Sequence, residues 1–238
     1  MAYGRRAVRL LYDEYQECEK CPMLCQSRTQ VVFGSGSVSA DIMIVGEVPG
    51  ADEDAEGVPF AGRSGQLLLQ MLDMVWGDTE ELLAARQLED NEEYFQRVRD
   101  VVEEKIFFTN VVLCRPHERS PSVQEIKNCK ERLQRTIYAV DPKLIIATGK
   151  IAASAVLGKK VSIMNKRGEI FDVGIPSPVT NRTVRYPMLA VLSPSFLLRR
   201  GDQSLVTKKS GDTYKTMGDL RYGFSLLKNY DTVRGVDS

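Results

Sequence analysis

The block Gly46-Glu47-Val48-Pro49-Gly50-Ala51-Asp52-Glu53-Asp54 runs straight out of the stretch Asp41 to Val45 and leads on to Pro59-Phe60-Ala61-Gly62-Arg63. Strand, glycine-bracketed turn, acidic cluster and a phenylalanine in a short loop together make a ligand pocket at the carboxyl end of a strand, where open α/β sheets place their sites. Glu47 has no evident packing purpose in so tight a turn, and reads as a working carboxylate. Asn110, within Thr109-Asn110-Val111-Val112-Leu113-Cys114-Arg115-Pro116, stands at another strand end with an amide that both donates and accepts. Ser193-Pro194-Ser195-Phe196-Leu197-Leu198-Arg199 adds a hydroxyl donor beside basic residues.

Five cysteines in a chain with a Cys-x-x-Cys pair point to ligation rather than to a disulfide framework. Cys18 and Cys21, three apart, present two thiolates from one turn of chain. Cys114 and Cys129 are distant partners that would tie the amino-terminal segment to the body of the domain. Four thiolates suit a tetrahedral zinc or a [4Fe-4S] cluster, and spacing alone does not choose between them. Reduced thiols with no metal are the plain alternative. Cys25 is left over as a bystander, although Cys21-Pro22-Met23-Leu24-Cys25 leaves open which pair ligates.

Taken in order, Cys18-Glu19-Lys20-Cys21, the Gly46 block, the Asn110 segment, Cys129 and the Ser193 segment resemble the iron–sulfur-containing uracil-DNA glycosylases of the family 4 type, over roughly residues 15 to 200. The resemblance implies a [4Fe-4S] cluster on Cys18, Cys21, Cys114 and Cys129 that staples loops holding DNA, since base excision needs no electron. It implies that the turn from Gly46 to Val48 offers backbone N–H groups to uracil O2. Phe60 then stacks on the flipped base, and Asn110 bonds its Watson–Crick edge. Glu47 and Glu53 are the implied carboxylates that position water or support a cationic sugar. Plainer readings stand beside these: Phe60 as core, Asn110 as a strand-terminal turn former, Asp52 and Asp54 as a helix-start cluster.

One departure matters. Where the family reads His-Pro-Ser, this chain has Ser193-Pro194-Ser195. The imidazole donates to the uracil oxygen as charge builds there, and losing one such donor costs about 10² to 10³ in rate. The single histidine, His117, lies in the loop where a distant superfamily member traps DNA covalently; its plain reading is a solvated residue near phosphate. Arg115, Arg119, Arg199 and Arg200 flank the pocket as DNA contacts, and Phe196 to Leu198 either wedge into the duplex or start a core helix. The implied activity is monofunctional removal of uracil from DNA. The alternatives are a catalytically weakened or inactive DNA-binding or replication-accessory protein, and excision of a different base.

These residues need a scaffold. Asp41 to Val45, Ile106 to Val112, Leu144 to Thr148 and Met188 to Leu192 are near-continuously apolar, as in strands covered on both faces. Helical spacing lies between them: Gly65 to Trp76, Ser122 to Ala139 with a capping box at Ser122 and Glu125, Lys150 to Leu157 closed by Gly158, and Gly218 to Tyr230. The expected fold is a three-layer α/β/α arrangement with a central, mainly parallel four-stranded sheet, as one domain over residues 1–238. Asp78 to Glu104 is expected as a solvated helical insertion, and residues 201–216 as a polar loop.

Lys plus Arg and Asp plus Glu balance at 32 each, so contact with a polyanion must come from local patches. No apolar run approaches the roughly 20 residues of a membrane span, and Met1 to Arg9 lacks the apolar core of a signal peptide. A cytoplasmic monomer that acts on DNA containing uracil is expected.

Overall fold

The apolar runs form the middle of the sheet. In chain order the elements are α1 (Ala2–Tyr15), α2 (Pro22–Ser27), β1 (Ser35–Gly36), β2 (Ile42–Gly46), α3 (Ala51–Glu56), α4 (Arg63–Trp76), α5 (Glu80–Ala85), α6 (Asn91–Glu103), β3 (Ile106–Asn110), α7 (Val123–Val140), β4 (Leu144–Thr148), α8 (Lys150–Leu157), α9 (Ile163–Lys166), β5 (Ile170–Pro176), β6 (Thr183–Val191), α10 (Pro194–Arg199) and α11 (Asp212–Arg234). The computed structural model describes residues 2–180, 182–201 and 210–234.

The strand order is β1-β3-β2-β4-β6-β5. β3, β2, β4 and β6 run parallel, while β1 and β5 pair antiparallel at the two edges. The expected mainly parallel four-stranded sheet is therefore corrected to a mixed six-stranded one. The four parallel strands are the apolar runs. The edge strands carry no such run: β1 has only two residues, and β5 alternates partly exposed with buried positions because one of its faces meets water.

Successive side chains of the central strands go to opposite faces. Met43, Val45, Phe107, Ile145, Ala147, Met188 and Ala190 join α1, α7 and α8 in one core. Ile42, Ile44, Ile106, Phe108, Leu144, Ile146, Leu189 and Val191 join α4, α5, α6, α10 and α11 in the other. Helices thus cover both faces of the sheet.

The sequence signals for helix ends hold at atomic detail. At α7, Ser122 Oγ accepts from Glu125 N at 3.2 Å, and Glu125 Oε2 accepts from Ser122 N at 2.7 Å. α8 ends at Gly158 in the left-handed region. α11 begins at Asp212 rather than at Gly218, so the end of the expected 201–216 loop is helix; positions 202–209 lie outside the described residues. Among the described residues no helix is long and apolar enough to cross a membrane.

Residues 78–104 depart from the expected solvated insertion on one side. α5 and α6 do present charge to water, but Leu82, Ala85, Val98 and Val102 are fully buried against the sheet and α4. The buried Asp73 of α4 fastens them. Arg86 Nε donates to both Asp73 oxygens at 3.1 Å, Arg86 Nη2 donates to the Asp73 carbonyl at 3.0 Å, and the Tyr94 hydroxyl donates to Asp73 Oδ2 at 3.0 Å. Burial, together with the Asp73 charge, raises the Tyr94 pKa.

Asp73→Ala removes an acceptor shared by two helices and should cost about 2 to 3 kcal/mol at neutral pH. Urea unfolding reads the loss, and hydrogen exchange should rise first in α5 and α6. An unchanged midpoint would show that this junction carries no net stability.

Candidate active site

β2 is followed by β3 on one side and β4 on the other, and that reversal opens a crevice outside the carboxyl ends of the strands. A cleft of about 490 Å³ occupies it. Each parallel strand brings one residue to its floor: Gly46 ends β2, Asn110 ends β3, Thr148 ends β4, and Ser193 follows β6 by two positions. Glu47, Val48, Glu53 and Phe60 close one wall, and Glu118, Arg119, Ser120 and Arg199 stand on others.

Gly46 and Asn110 are register partners across β2 and β3. A side chain at Gly46 would place Cβ 2.2 Å from Asn110 Oδ1 and 2.9 Å from the tip of the Phe60 ring. Only glycine lets amide, ring and turn converge at that point. Asn110 is held from below, where its carbonyl accepts from Arg132 Nη2 at 2.6 Å. Phe60 adopts φ 56°, a left-handed conformation that costs a non-glycine residue about 1 kcal/mol or more. Its ring packs on Phe108 with centroids 5.6 Å apart while also lining the cleft, so core packing and pocket wall coexist.

The two carboxylates have different circumstances. Glu53 is buried, and its oxygens accept from Gly50 N at 2.8 Å and Gly62 N at 3.0 Å. It staples the turn before α3 to the turn before α4. Glu47 is half-buried; burial raises its pKa, opposed by a hydrogen bond from Ser120 and the charge of Arg199. The acidic run belongs to the start of α3, as its plainer reading held: Asp52, Glu53 and Asp54 fill the first turn, and Asp54 accepts from Thr29 N at 2.9 and 3.1 Å.

Ser193 caps α10. Its Oγ accepts from Phe196 N at 3.3 Å and lies 3.3 Å from Ser195 Oγ, a hydroxyl pair in which either oxygen can donate, and both residues line the cleft. Leu197 is fully buried and Phe196 and Leu198 pack against the core, so this segment is chiefly a core helix.

The four arginines divide. Arg199 stands at the rim of the cleft. Arg119 also lines it, but its guanidinium forks onto Glu125 at 2.7 and 2.9 Å. Arg115 is outside the cleft lining, and its carbonyl accepts from Ser27 Oγ at 3.1 Å. Arg200 lies over the Phe196 ring and pairs with Asp212 at 3.4 Å. His117 is exposed in the loop that carries Glu118 to Ser120. Sequence reasoning missed Thr148 and Ser120. The first was legible as the last residue of a parallel strand, since that is where such sheets place ligands.

The cysteines gather on the α1–α7 side. Cys114 is buried, and Cys18, Cys21 and Cys129 pack half-buried against the same core. The charges of Cys129 and Cys18 bear on both Cys21 and Cys114. Burial holds the Cys114 thiol up at about 11 and raises Cys21, so deprotonation there calls for a cation nearby. Nitrogen donors already face the sulfurs: Arg28 Nη1 lies 3.0 Å from Cys114 Sγ, and Asn128 Nδ2 lies 3.3 Å from Cys21 Sγ. Arg132, fully buried on α7 three residues past Cys129, has no carboxylate partner among the described residues. Its Nε lacks an acceptor there too. Burial works against its charge, opposed by Cys129, Tyr15 and Cys114. Cys25 donates to the Cys18 carbonyl at 3.6 Å, a local role. Among the described residues no three His, Cys, Asp or Glu side chains come close enough to hold one metal ion.

A doubly wound sheet with a switch-point cleft that brings together an amide, an aromatic face and a half-buried carboxylate defines the class: an α/β protein with its pocket outside the carboxyl ends of the parallel strands. The sequence pattern of the Uracil DNA glycosylase superfamily matches residues 33–217, and the chain belongs to that superfamily. It is similar to the Type-4 uracil-DNA glycosylase of Sulfurisphaera tokodaii, 36% identical over 154 residues, covering 64% of this chain and 59% of that one. The protein of the same description from Saccharolobus solfataricus is 33% identical over 162 residues, 68% and 64% of the two chains. The one from Thermotoga maritima is 34% identical over 167 residues, 69% and 74%. The chain thus spans about three fifths of the first two relatives' length.

The Arg119 fork, more than any other contact, holds the Glu125 carboxyl at about 2, below its ordinary 4.5. A depressed carboxyl stabilises the fold above its ordinary value and loses that contribution as pH falls towards the folded one. Between pH 4.5 and about 2, unfolding free energy should therefore fall more steeply in the parent than in Arg119→Ala, measured by urea titration. Equal slopes would mean the fork does not stabilise the loop.

Proposed function

We propose that this protein hydrolyses the N-glycosidic bond of uracil in DNA and leaves an abasic site, acting as a cytoplasmic monomer. The observation that carries this reading is the meeting of the Asn110 amide and the Phe60 ring over Gly46, with Glu47 lining the same cleft. The relatives named Type-4 uracil-DNA glycosylases support it. Cleavage leaves positive charge on the sugar and negative charge on the departing base. A flipped uracil would lie on Phe60 with its edge against Asn110 and its O2 towards the N–H groups of the Gly46–Val48 turn. Glu47, in its ionised form, would sit beside the sugar and orient water. Ser120 and Arg199 favour that form against burial. Glu53, with both oxygens on backbone amides, would hold the turns rather than act on water.

Ser193 is the donor at the place of the family's histidine. Its oxygen serves the helix cap while its proton turns to the base, a weaker electrostatic partner than an imidazole. Arg199 would meet phosphate at the rim, and of the four arginines it is the one in the cleft lining with no carboxylate fork.

Cys18, Cys21, Cys114 and Cys129 fit a [4Fe-4S] cluster in their donor chemistry. Four soft sulfurs, N–H groups of Arg28 and Asn128 directed at sulfur, and a buried Arg132 cation beside them suit an anionic cluster. A cluster takes one thiolate per iron, so its ligands stand farther apart than those of a single ion. Bound, it would supply a cross-link between the α1–α2 segment, the β3–α7 loop and α7. Protein purified without oxygen should contain about four irons per chain and lose them in Cys114→Ala. Stoichiometric zinc without iron would replace this reading.

Excision from single- and double-stranded uracil oligonucleotides tests the activity. The parent should release uracil, Asn110→Asp should release little, and Ser193→His should gain at most about 10² to 10³ in rate. If neither parent nor Ser193→His excises uracil although both bind DNA, the binding-module reading or another target base takes its place.

A further inference from the structure

The left-handed backbone of Phe60 needs an agent to hold it, and none lies on its own loop. The Phe60 carbonyl faces inward against α4, where a side chain at Gly65 would meet it at 1.8 Å. Phe60 is buried, 8% exposed as a residue, and a buried carbonyl without a donor is costly. The donor comes from α6. Arg99 Nη2 donates to the Phe60 carbonyl, and Nη1 donates to the Pro59 carbonyl at 3.3 Å. The guanidinium is mostly buried, with its side chain 11% exposed. It lies 5.9 Å from the centre of the Phe108 ring, on which Phe60 itself packs. Glu103, one turn along α6, balances its charge at 3.0 Å and is held in place by Ser35 Oγ at 2.7 Å.

One rigid planar fork therefore binds two successive carbonyls and fixes both peptide planes around Phe60. We infer that Arg99 is a positioning residue of the base pocket: it holds Phe60 in the left-handed conformation that turns its ring into the cleft. The 78–104 segment thereby becomes part of the pocket's machinery rather than an appendage. This rests on the proposed reading that a uracil base stacks on Phe60.

The test is a double-mutant cycle on inhibition by free uracil base and on KM for a single-stranded uracil oligonucleotide, with folding checked by circular dichroism. Phe60→Ala should weaken both by about 10-fold, in line with the loss of one stacking surface. Arg99→Ala should reproduce most of that loss, with a smaller effect on kcat, and Arg99→Lys, which keeps a single donor, should fall between it and the parent. The double variant should be no weaker than Phe60→Ala alone, because both changes remove the same ring placement. A folded Arg99→Ala with parental KM and inhibition, or losses that multiply in the double variant, would overturn the inference. If Arg99→Ala does not fold, Arg99→Lys decides: equality with the parent overturns it. A Phe60→Ala variant that keeps parental uracil inhibition would remove the base-pocket reading instead, and the inference with it.

Discussion

A guanidinium sealed from water organises the centre of this molecule. Arg132 projects from α7 beneath the end of β3, where it donates to the Asn110 carbonyl at 2.6 Å, the Val111 carbonyl at 2.8 Å and Thr109 Oγ1 at 3.3 Å. Burying an unpaired cation costs several kcal/mol, so its surroundings must answer with acceptors and negative charge. The chain answers by turning two successive carbonyls down towards α7. Thr109 passes the constraint on by donating to the Phe33 carbonyl at 2.7 Å, which fixes the segment leading to β1. With its main chain held this way, Asn110 keeps its amide over Gly46. The same cation lies within the electrostatic reach of Cys129 and Cys114. Cysteine centre and cleft are thus two sides of one buried charge.

Carboxylates around the cleft mostly serve the backbone. Glu53 joins two turns, Asp54 holds Thr29, and Glu125 both caps α7 and receives Arg119. Each satisfies amide or guanidinium donors that would otherwise be left without a partner at a helix start or loop. Glu47 differs from these three, engaged by a hydroxyl and a neighbouring charge rather than by backbone amides. It is half-buried in the same wall of the cleft as the Phe60 ring.

How far these features were legible depends on how local their causes are. The central strands are continuous apolar runs, and the ends of α7 and α8 follow from Ser122 with Glu125 and from Gly158; all of these act within a few residues. The edge strands escaped because a half-exposed strand needs no apolar run. The signal that would have found β5 and the start of β6 is the turn cluster Pro176-Ser177-Pro178, flanked by alternating residues and closed by Ser177 N to the Arg182 carbonyl at 2.9 Å. For the arginines, sequence shows charge but not partner. Arg119 and Arg200 are as basic as Arg199, yet only the fold reveals that Glu125 and Asp212 claim them. The role of 78–104 was hidden for the same reason, since what matters there is a contact across 39 positions of chain between Arg99 and Phe60.

The antiparallel margins of the sheet bear on how copies of this protein treat one another. An open sheet ends in rows of unpaired N–H and C=O groups that can recruit another strand. Here one margin is a two-residue strand, too short to template a ladder, with α6 lying against it. The other margin, β5, carries an exposed Asp172 paired with Arg185, ends in a proline that cannot donate, and has α7 and α8 packed on it. Charge, proline and brevity leave little for edge-to-edge stacking, so the protein should tolerate high concentration without recruiting its own strands into aggregates.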